Sequence, residues 1–275
     1  MSKFHSKPIP RLEKISLTTH NKERLISFYT QTLGMTLHKN QESVATLGTK
    51  DSVLLELVED LNASFQKNST SLYHIAYLYP DRRYLSRILK HFIETKTPIQ
   101  GASDHVISEA IYLSDPDGNG IELAADTDEQ KWPWKHNQLD IMANQSALDI
   151  DEILSLHTEN LSLFPDETIL GHAHFHGSDL NKSKEFYQNV LGMDLIISIP
   201  SAGFFSWGKY HHHLAVNLWK GQNIPLVKDN SVGLRYLQFN VEQDMYRRLQ
   251  PFSISDYDVI LKDPSNFTLK FTQYK

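Results

Sequence analysis

The chain has no cysteine among its 275 residues. This excludes disulfides, thiolate metal ligands and a thiol nucleophile, so any metal must be held through nitrogen and oxygen. Nor is there an apolar run approaching the ~20 residues that a membrane-crossing helix requires. The stretch MSKFHSKPIPRLEK carries charge and proline where a secretory leader would need an apolar segment, so a cytoplasmic protein with no membrane partner is expected. No cluster of lysine and arginine offsets the net charge of -6, which argues against nucleic acid as a partner. Histidine, by contrast, is plentiful, with 14 in all, in a chain whose 40% hydrophobic and 22% charged content is that of a globular protein. The length suffices for two domains, each with its own core.

The chain repeats itself. LISFYTQTLGM at 25–35 returns as SKEFYQNVLGM at 183–193, matching at Phe-Tyr and at Leu-Gly-Met. In the first copy Leu25, Phe28, Tyr29 and Leu33 fall at helical spacing, and Gly34 or Gly192 supplies the stop. An alternating segment precedes each helix, LEKISLT at 12–18 and GHAHFHG at 171–177, and short strands come after it, such as 53–58 and 213–219. A fainter copy of this unit completes each half. In the first half it comprises the strand 73–80, a helix with Leu85, Ile88, Leu89 and Phe92 on one face, and a hairpin over 104–126; in the second, the segments 234–241, DMYRRLQ and 259–271. Four βαβββ modules result. They divide into a first pair at 10–126 and a second at 169–275, with 127–168 as a linker carrying WPW and the short helix-like ALDIDEILSL.

The hairpin turn is signalled by Asp115-Pro116-Asp117-Gly118-Asn119-Gly120, where proline presets one dihedral and Gly or Asn tolerates positive φ. In its second strand Gly120, Glu122 and Ala124 share a face, so the carboxylate sits between small residues with room beside it for a ligand. Taken alone, Glu122 reads as an exposed strand carboxylate, and His74 as a hydrogen-bonded core histidine.

The tandem βαβββ pattern, the FY…LGM helices and the DPDGNGIEL hairpin resemble the vicinal oxygen chelate superfamily, which spans glyoxalases, bleomycin resistance proteins and extradiol dioxygenases. The resemblance implies an α+β fold in which the four modules form two half-open mixed β-barrels with flanking helices. It also implies that metal ligands come from the first strands of two modules and the last strand of one. First-strand positions hold Lys14, His74, His172 and Tyr236; last-strand positions hold Glu122 and Lys270. Pairing module 2 with module 3, and 1 with 4, would unite His74, His172 and Glu122, the two-His-one-carboxylate set that leaves open positions on Fe(II). His172, His174 and His176 alternate along one strand face, so His174 stays as an alternative ligand.

Within that superfamily the chain is most similar to the catechol 2,3-dioxygenase type. YHHHLAVN at 210–217 aligns His212 with an acid/base histidine, with His211 and His213 able to exchange with it; a solvated strand edge is the plain alternative. His105 and Tyr112 match the pattern DH…Y…IE and would bond a catechol oxygen or O2. The resemblance therefore implies an Fe(II) enzyme, with Mn(II) or another divalent ion also compatible, acting on a small aromatic diol and O2, in a homo-oligomer or as a monomer. Two other readings are a glyoxalase-type isomerase or lyase, which usually carries two carboxylates or a glutamine among four ligands, and a metal-free protein that sequesters a small aromatic molecule.

Overall fold

The computed structural model describes residues 3–140, 145–158 and 160–274; residues 141–144 and 159 of the expected linker, and residue 275 at the end of the expected second domain, lie outside the described residues. The first module runs β1 (Arg11–Thr19), α1 (Lys22–Ser27), β2 (Thr36–Gln41), β3 (Val44–Gly48) and β4 (Val53–Glu59). Asn21 opens α1 by accepting from the Arg24 amide. At the Phe-Tyr pair the helix widens into a π turn, Phe28–Thr32, and closes at Gly34, whose φ of +81° only glycine adopts without strain. The second module runs β5 (Ser71–Leu78), α2 (Arg82–Thr95), β6 (Gly101–Asp104), β7 (Ser108–Ser114) and β8 (Gly120–Asp126).

The connection contributes a small hairpin, β9 (Trp134–Lys135) and β10 (Gln138–Leu139), an edge strand β11 (Ser146–Ala147) beside β6, and α3 (Ile150–Ser155). The third module repeats the first: β12 (Ile169–His176), α4 (Leu180–Glu185) with its own π turn Phe186–Val190, then β13 (Asp194–Ile199), β14 (Ala202–Ser206) and β15 (Leu214–Asn217). The fourth differs from expectation. Among the described residues it has β16 (Gly233–Val241), α5 (Gln243–Leu249), β17 (Val259–Lys262) and β18 (Thr268–Gln273), one strand short of a full module. Where that strand would lie, the Ser253 hydroxyl accepts from the amides of Ser255 and Ile260 and donates to the Asp258 carbonyl, folding the segment into a local turn.

Among the described residues the modules assemble into a seven-stranded sheet, order β17-β18-β16-β1-β4-β3-β2, and a nine-stranded sheet, order β11-β6-β7-β8-β5-β12-β15-β14-β13. Modules 1 and 4 thus share one sheet and modules 2 and 3 the other, with β1 antiparallel to β16 and β5 antiparallel to β12. The architecture is α+β, with strand-rich open sheets and, among the described residues, no closed barrel. Alternate side chains of both sheets enter a core that also takes up the helix residues Leu25, Tyr29, Leu89 and Phe92. No helix among the described residues is long and apolar enough to cross a membrane.

While strands pair across the two halves, helices tie modules together within each half. Tyr29, from the Phe-Tyr pair of module 1, donates its hydroxyl to Asp115 in the hairpin turn of module 2 at 3.1 Å. Tyr187 of module 3 does the same to Asp263 in the corresponding turn of module 4 at 2.7 Å. Each carboxylate is buried and also accepts from turn amides, those of Asp117 and Asn119 in one case and of Ser265 and Phe267 in the other. The conformation of the DPDGN turn is therefore coupled to the neighbouring helix. Replacing Tyr29 or Tyr187 by Phe should destabilise the fold by about 1.5–3 kcal/mol, the range for a hydrogen bond to a charged group. Urea unfolding of each variant checks this, and a loss below about 0.5 kcal/mol, the ordinary scatter of neutral substitutions, would dismiss the tie.

Candidate metal centre

The centre of the nine-stranded sheet is where three strands bring polar side chains to one face. β8 runs parallel to β5 with Ala76 in register with Glu122, and β12 runs antiparallel on the other side with Ala76 in register with His172. His74 lies two residues before Ala76 and so projects to the same side. Gly120 permits this closeness: a Cβ there would sit 1.8 Å from the Tyr73 carbonyl. The small residue beside Glu122 thus serves the approach of β5 as well as the space around the acid.

Three atoms converge. His74 Nε2 is 3.0 Å from Glu122 Oε2, His172 Nε2 is 3.1 Å from the same oxygen, and the two Nε2 atoms are 3.3 Å apart. All three residues are buried, at 6%, 2% and 2% exposure. Burial acts first to raise Glu122, but His172 and His74 outweigh it and hold its carboxyl well below the usual range. Burial pushes His74 down, with Glu122 opposing it. A carboxylate oxygen and imidazole nitrogens facing one another while buried call for a cation or shared protons between them. Two nitrogens and one carboxylate oxygen are the donor set of a hard-to-borderline divalent ion, and ligands at about 2.1 Å set at right angles on a metal lie about 3.0 Å from each other. The triangle fits an ion.

The face opens into a cavity of about 420 Å³. One wall carries His105 and Tyr112, hydrogen-bonded to each other at 2.6 Å, with Tyr112 paired across the hairpin to Glu122. The opposite wall is apolar, formed by Ile197, Ile199 and Phe204, and Tyr73 and Trp219 lie at the edge with ring centroids 5.2 Å apart. Among the described residues, no lysine or arginine lines it. His174 is also on this face, but its Nε2 bonds the Asn217 amide at 3.0 Å; among the histidines of β12, His172 is the one that reaches Glu122.

The row at 211–213 separates into three environments. His213 faces away from the cavity, taking the Trp207 amide at Nδ1 and donating Nε2 to the Phe4 carbonyl; burial pushes it down to about 3. His211 sits behind the wall with Nε2 at 3.0 Å from Asp126. His212 lines the cavity, its ring centroid 4.0 Å from that of His172. His172, His211 and His212 also place one nitrogen each within 4.8 Å of one another, a second grouping that could hold an ion. It lacks a carboxylate, and its His211 and His212 nitrogens already bond each other at 2.8 Å.

A model of the Glyoxalase/Bleomycin resistance protein/Dioxygenase superfamily matches residues 11–123 and 169–250. A catechol-2,3-dioxygenase of Bacillus subtilis (strain 168) is 40% identical over 227 residues, covering 80% of this chain and 79% of the relative. Among solved structures, one from Bacillus subtilis subsp. subtilis str. 168 superposes with a TM-score of 0.64 at 11% identity, covering 98% of this chain and 86% of that one. Glyoxalase I from Zea mays superposes with a TM-score of 0.59 at 14% identity, covering 96% and 92%. At these identities the superpositions show a shared fold.

The seven-stranded sheet repeats the geometry with other chemistry. Ser16 is in register with Glu56 on one side and Tyr236 on the other, as Ala76 is with Glu122 and His172, and Lys14 stands where His74 stands. Comparing first and last strands in the sequence points to Lys14, Tyr236 and Lys270 but passes over Glu56, which occupies in VLLELV the place Glu122 has in GIEL. Glu56 accepts from Tyr236 at 2.7 Å and Ser16 at 2.9 Å and pairs with Lys14 at 3.5 Å, while Lys270 lies over the Tyr236 ring at 3.9 Å. An ammonium group fills the cationic role. Burial acts to raise Glu56, yet these partners bring it below the ordinary 4.5. A lowered folded-state value gives stability that is present above about 4.5 and lost as pH falls through that lowered value. Glu56→Gln should therefore be less stable than the native chain near neutrality, the gap narrowing below about pH 4. Unfolding curves at several pH values test this; a gap that widens in acid would contradict it.

Proposed function

Because the chain belongs to the Glyoxalase/Bleomycin resistance protein/Dioxygenase superfamily, we propose that it is an Fe(II)-dependent extradiol dioxygenase inserting O2 into a catechol-type diol. The observation that carries this reading is the His74, His172 and Glu122 triangle opening onto one aromatic-edged cavity, since two histidines and one carboxylate on a face leave adjacent positions for two more ligands. The 40% identical relative named catechol-2,3-dioxygenase supports the same reaction. Manganese(II) would suit the same donors. A single carboxylate in the set speaks against the glyoxalase-type alternative.

His74, His172 and Glu122 would hold the ion, which would supply a meeting point for diol and O2 and a route for electron density between them. The chain's own residues do the rest. Ile197, Ile199 and Phe204 offer an apolar wall for the ring, and the lack of lysine or arginine around the described cavity suits a diol without a charged substituent. His212, on the cavity wall, takes the proton of a diol hydroxyl and returns it during ring opening, the role the histidine row suggested. Tyr112, with its hydroxyl held by His105, offers a hydrogen bond toward the diol or O2 oxygen. His74 and Glu122 from the first half and His172 from the second would hold the ion at which diol and O2 meet, so that much of the entropic cost of their encounter would be met on binding.

Anaerobic reconstitution with Fe(II) followed by catechol and air should give a yellow ring-fission product. Glu122→Ala and His74→Ala should each lose bound iron while retaining the native far-ultraviolet spectrum, and full iron stoichiometry in either would refute the site. His212→Phe should keep its iron and lose about 10²- to 10⁴-fold in turnover, the usual share of general acid–base assistance. Unchanged turnover in that variant would remove His212 from the chemistry.

A further inference from the structure

Behind His212 lies a hydrogen-bonded chain that leads through the sheet. His211 Nδ1 and His212 Nδ1 are 2.8 Å apart. The other nitrogen of His211 is 3.0 Å from Asp126 Oδ1, which also accepts from the Tyr210 hydroxyl at 3.2 Å. Asp126 ends β8, the strand of Glu122, and its side chain is 20% exposed, on the border of a separate cleft with Trp132 and Glu167. His211 is 1% exposed, its ring tilted against Tyr210 at 3.9 Å between centroids and beside Trp132 at 5.3 Å.

The proton positions are set by what each group can do. An ionised carboxylate only accepts, so His211 carries its hydrogen on Nε2, facing Asp126. In a neutral imidazole the other nitrogen is then bare, so His211 Nδ1 can only accept, and the hydrogen in the 2.8 Å contact must belong to His212 Nδ1. Burial, the larger effect, lowers His211, with Asp126 opposing it. With Nδ1 of His212 committed to His211, its free lone pair is on Nε2, the nitrogen left for the cavity.

We propose that Asp126 and His211 are positioning residues that fix His212 in the Nδ1–H tautomer, so that a bare Nε2 is presented to the diol. The inference rests on the acid–base role given to His212 above. It explains why three consecutive histidines occupy this strand entry, since each has a different duty: His213 holds the N-terminal segment through Phe4, His211 sets the tautomer, and His212 meets the ligand. A second-layer partner of this kind is typically worth about 10- to 100-fold in activity.

Long-range ¹H–¹⁵N correlation spectra of the metal-free protein read the tautomer directly, with the His212 signals identified by their absence in His212→Phe. The expected result is a protonated Nδ1 and a bare Nε2 in the native chain, and a mixture of tautomers in Asp126→Ala. An Nε2–H tautomer in the native protein, or no change in Asp126→Ala, overturns the proposal. In the iron-loaded enzyme His211→Phe, which keeps a ring between Tyr210 and Trp132, should lower kcat about 10- to 100-fold while KM and iron content stay within about twofold. His211→Asn, whose side-chain oxygen can accept from His212 Nδ1, should recover most of that loss. Undiminished kcat in His211→Phe, or equal losses in both variants, means that His211 only packs. If the native enzyme cleaves no diol, the proposed function fails, while the spectra still decide the tautomer.

Discussion

The antiparallel pairing of β5 with β12 is the constraint on which the rest of the site depends. His74 and His172 belong to different halves of the chain, 98 positions apart, and become neighbours solely through this ladder. Its register is not a simple slide. The pairing steps from Leu170 opposite Tyr77 to His172 opposite Ala76, leaving Gly171 as an extra residue. Such a bulge bends the strand and re-aims the side chains beyond it. A Cβ at Gly171 would approach the Leu78 side chain to 3.1 Å, so a small residue suits the place. Since strand side chains alternate, a one-residue slip would turn His172 to the other face and take one corner from the triangle.

The two sheets show how one backbone geometry supports opposite outcomes. In both, a carboxylate from the last strand of a module meets first-strand residues of two modules. Where those residues are histidines, two ring nitrogens meet the carboxylate oxygen and a cation from solution could complete the group. Where they are Lys14 and Tyr236, the chain supplies its own positive charge and hydroxyl donor, and Glu56 is satisfied from within. The difference resides in side-chain chemistry at equivalent positions. An ion held by three groups that only the folded chain brings together would couple metal binding to stability.

Around the triangle, the remaining polar groups are arranged so that few compete for it. His174 is taken by Asn217 and His213 by Phe4 and Trp207. Tyr112 and His105 bond each other and remain at the cavity surface. The three side chains are buried beside an aromatic and aliphatic wall, a setting that strengthens charge interactions. The helix-to-turn ties from Tyr29 and Tyr187 stand one layer back and hold the hairpins that carry or mirror Glu122.

Much of this was legible in the amino-acid order. The absence of cysteine limited ligands to nitrogen and oxygen; the FY…LGM repeat marked the modules; and the DPDGNG turn placed Glu122 on a strand. These are local signals, set by backbone sterics and side-chain period, and a linear sequence carries them. The resemblance they support singled out His74, His172 and Glu122, which the structure brings together. Facing and distance were left open. Alternation along a strand says that neighbouring residues point to opposite sides, but His211, His212 and His213 lie in the turn that precedes β15, so only the folded chain separates them. Asp126 and His211 are 85 positions apart, and no local pattern joins them. Glu56 lay in plain view in VLLELV, but its kinship with Glu122 emerges from strand register. The missing strand of module 4 and the bulge at Gly171 likewise depend on which partner each segment finds, and partner choice is settled by packing across the whole chain.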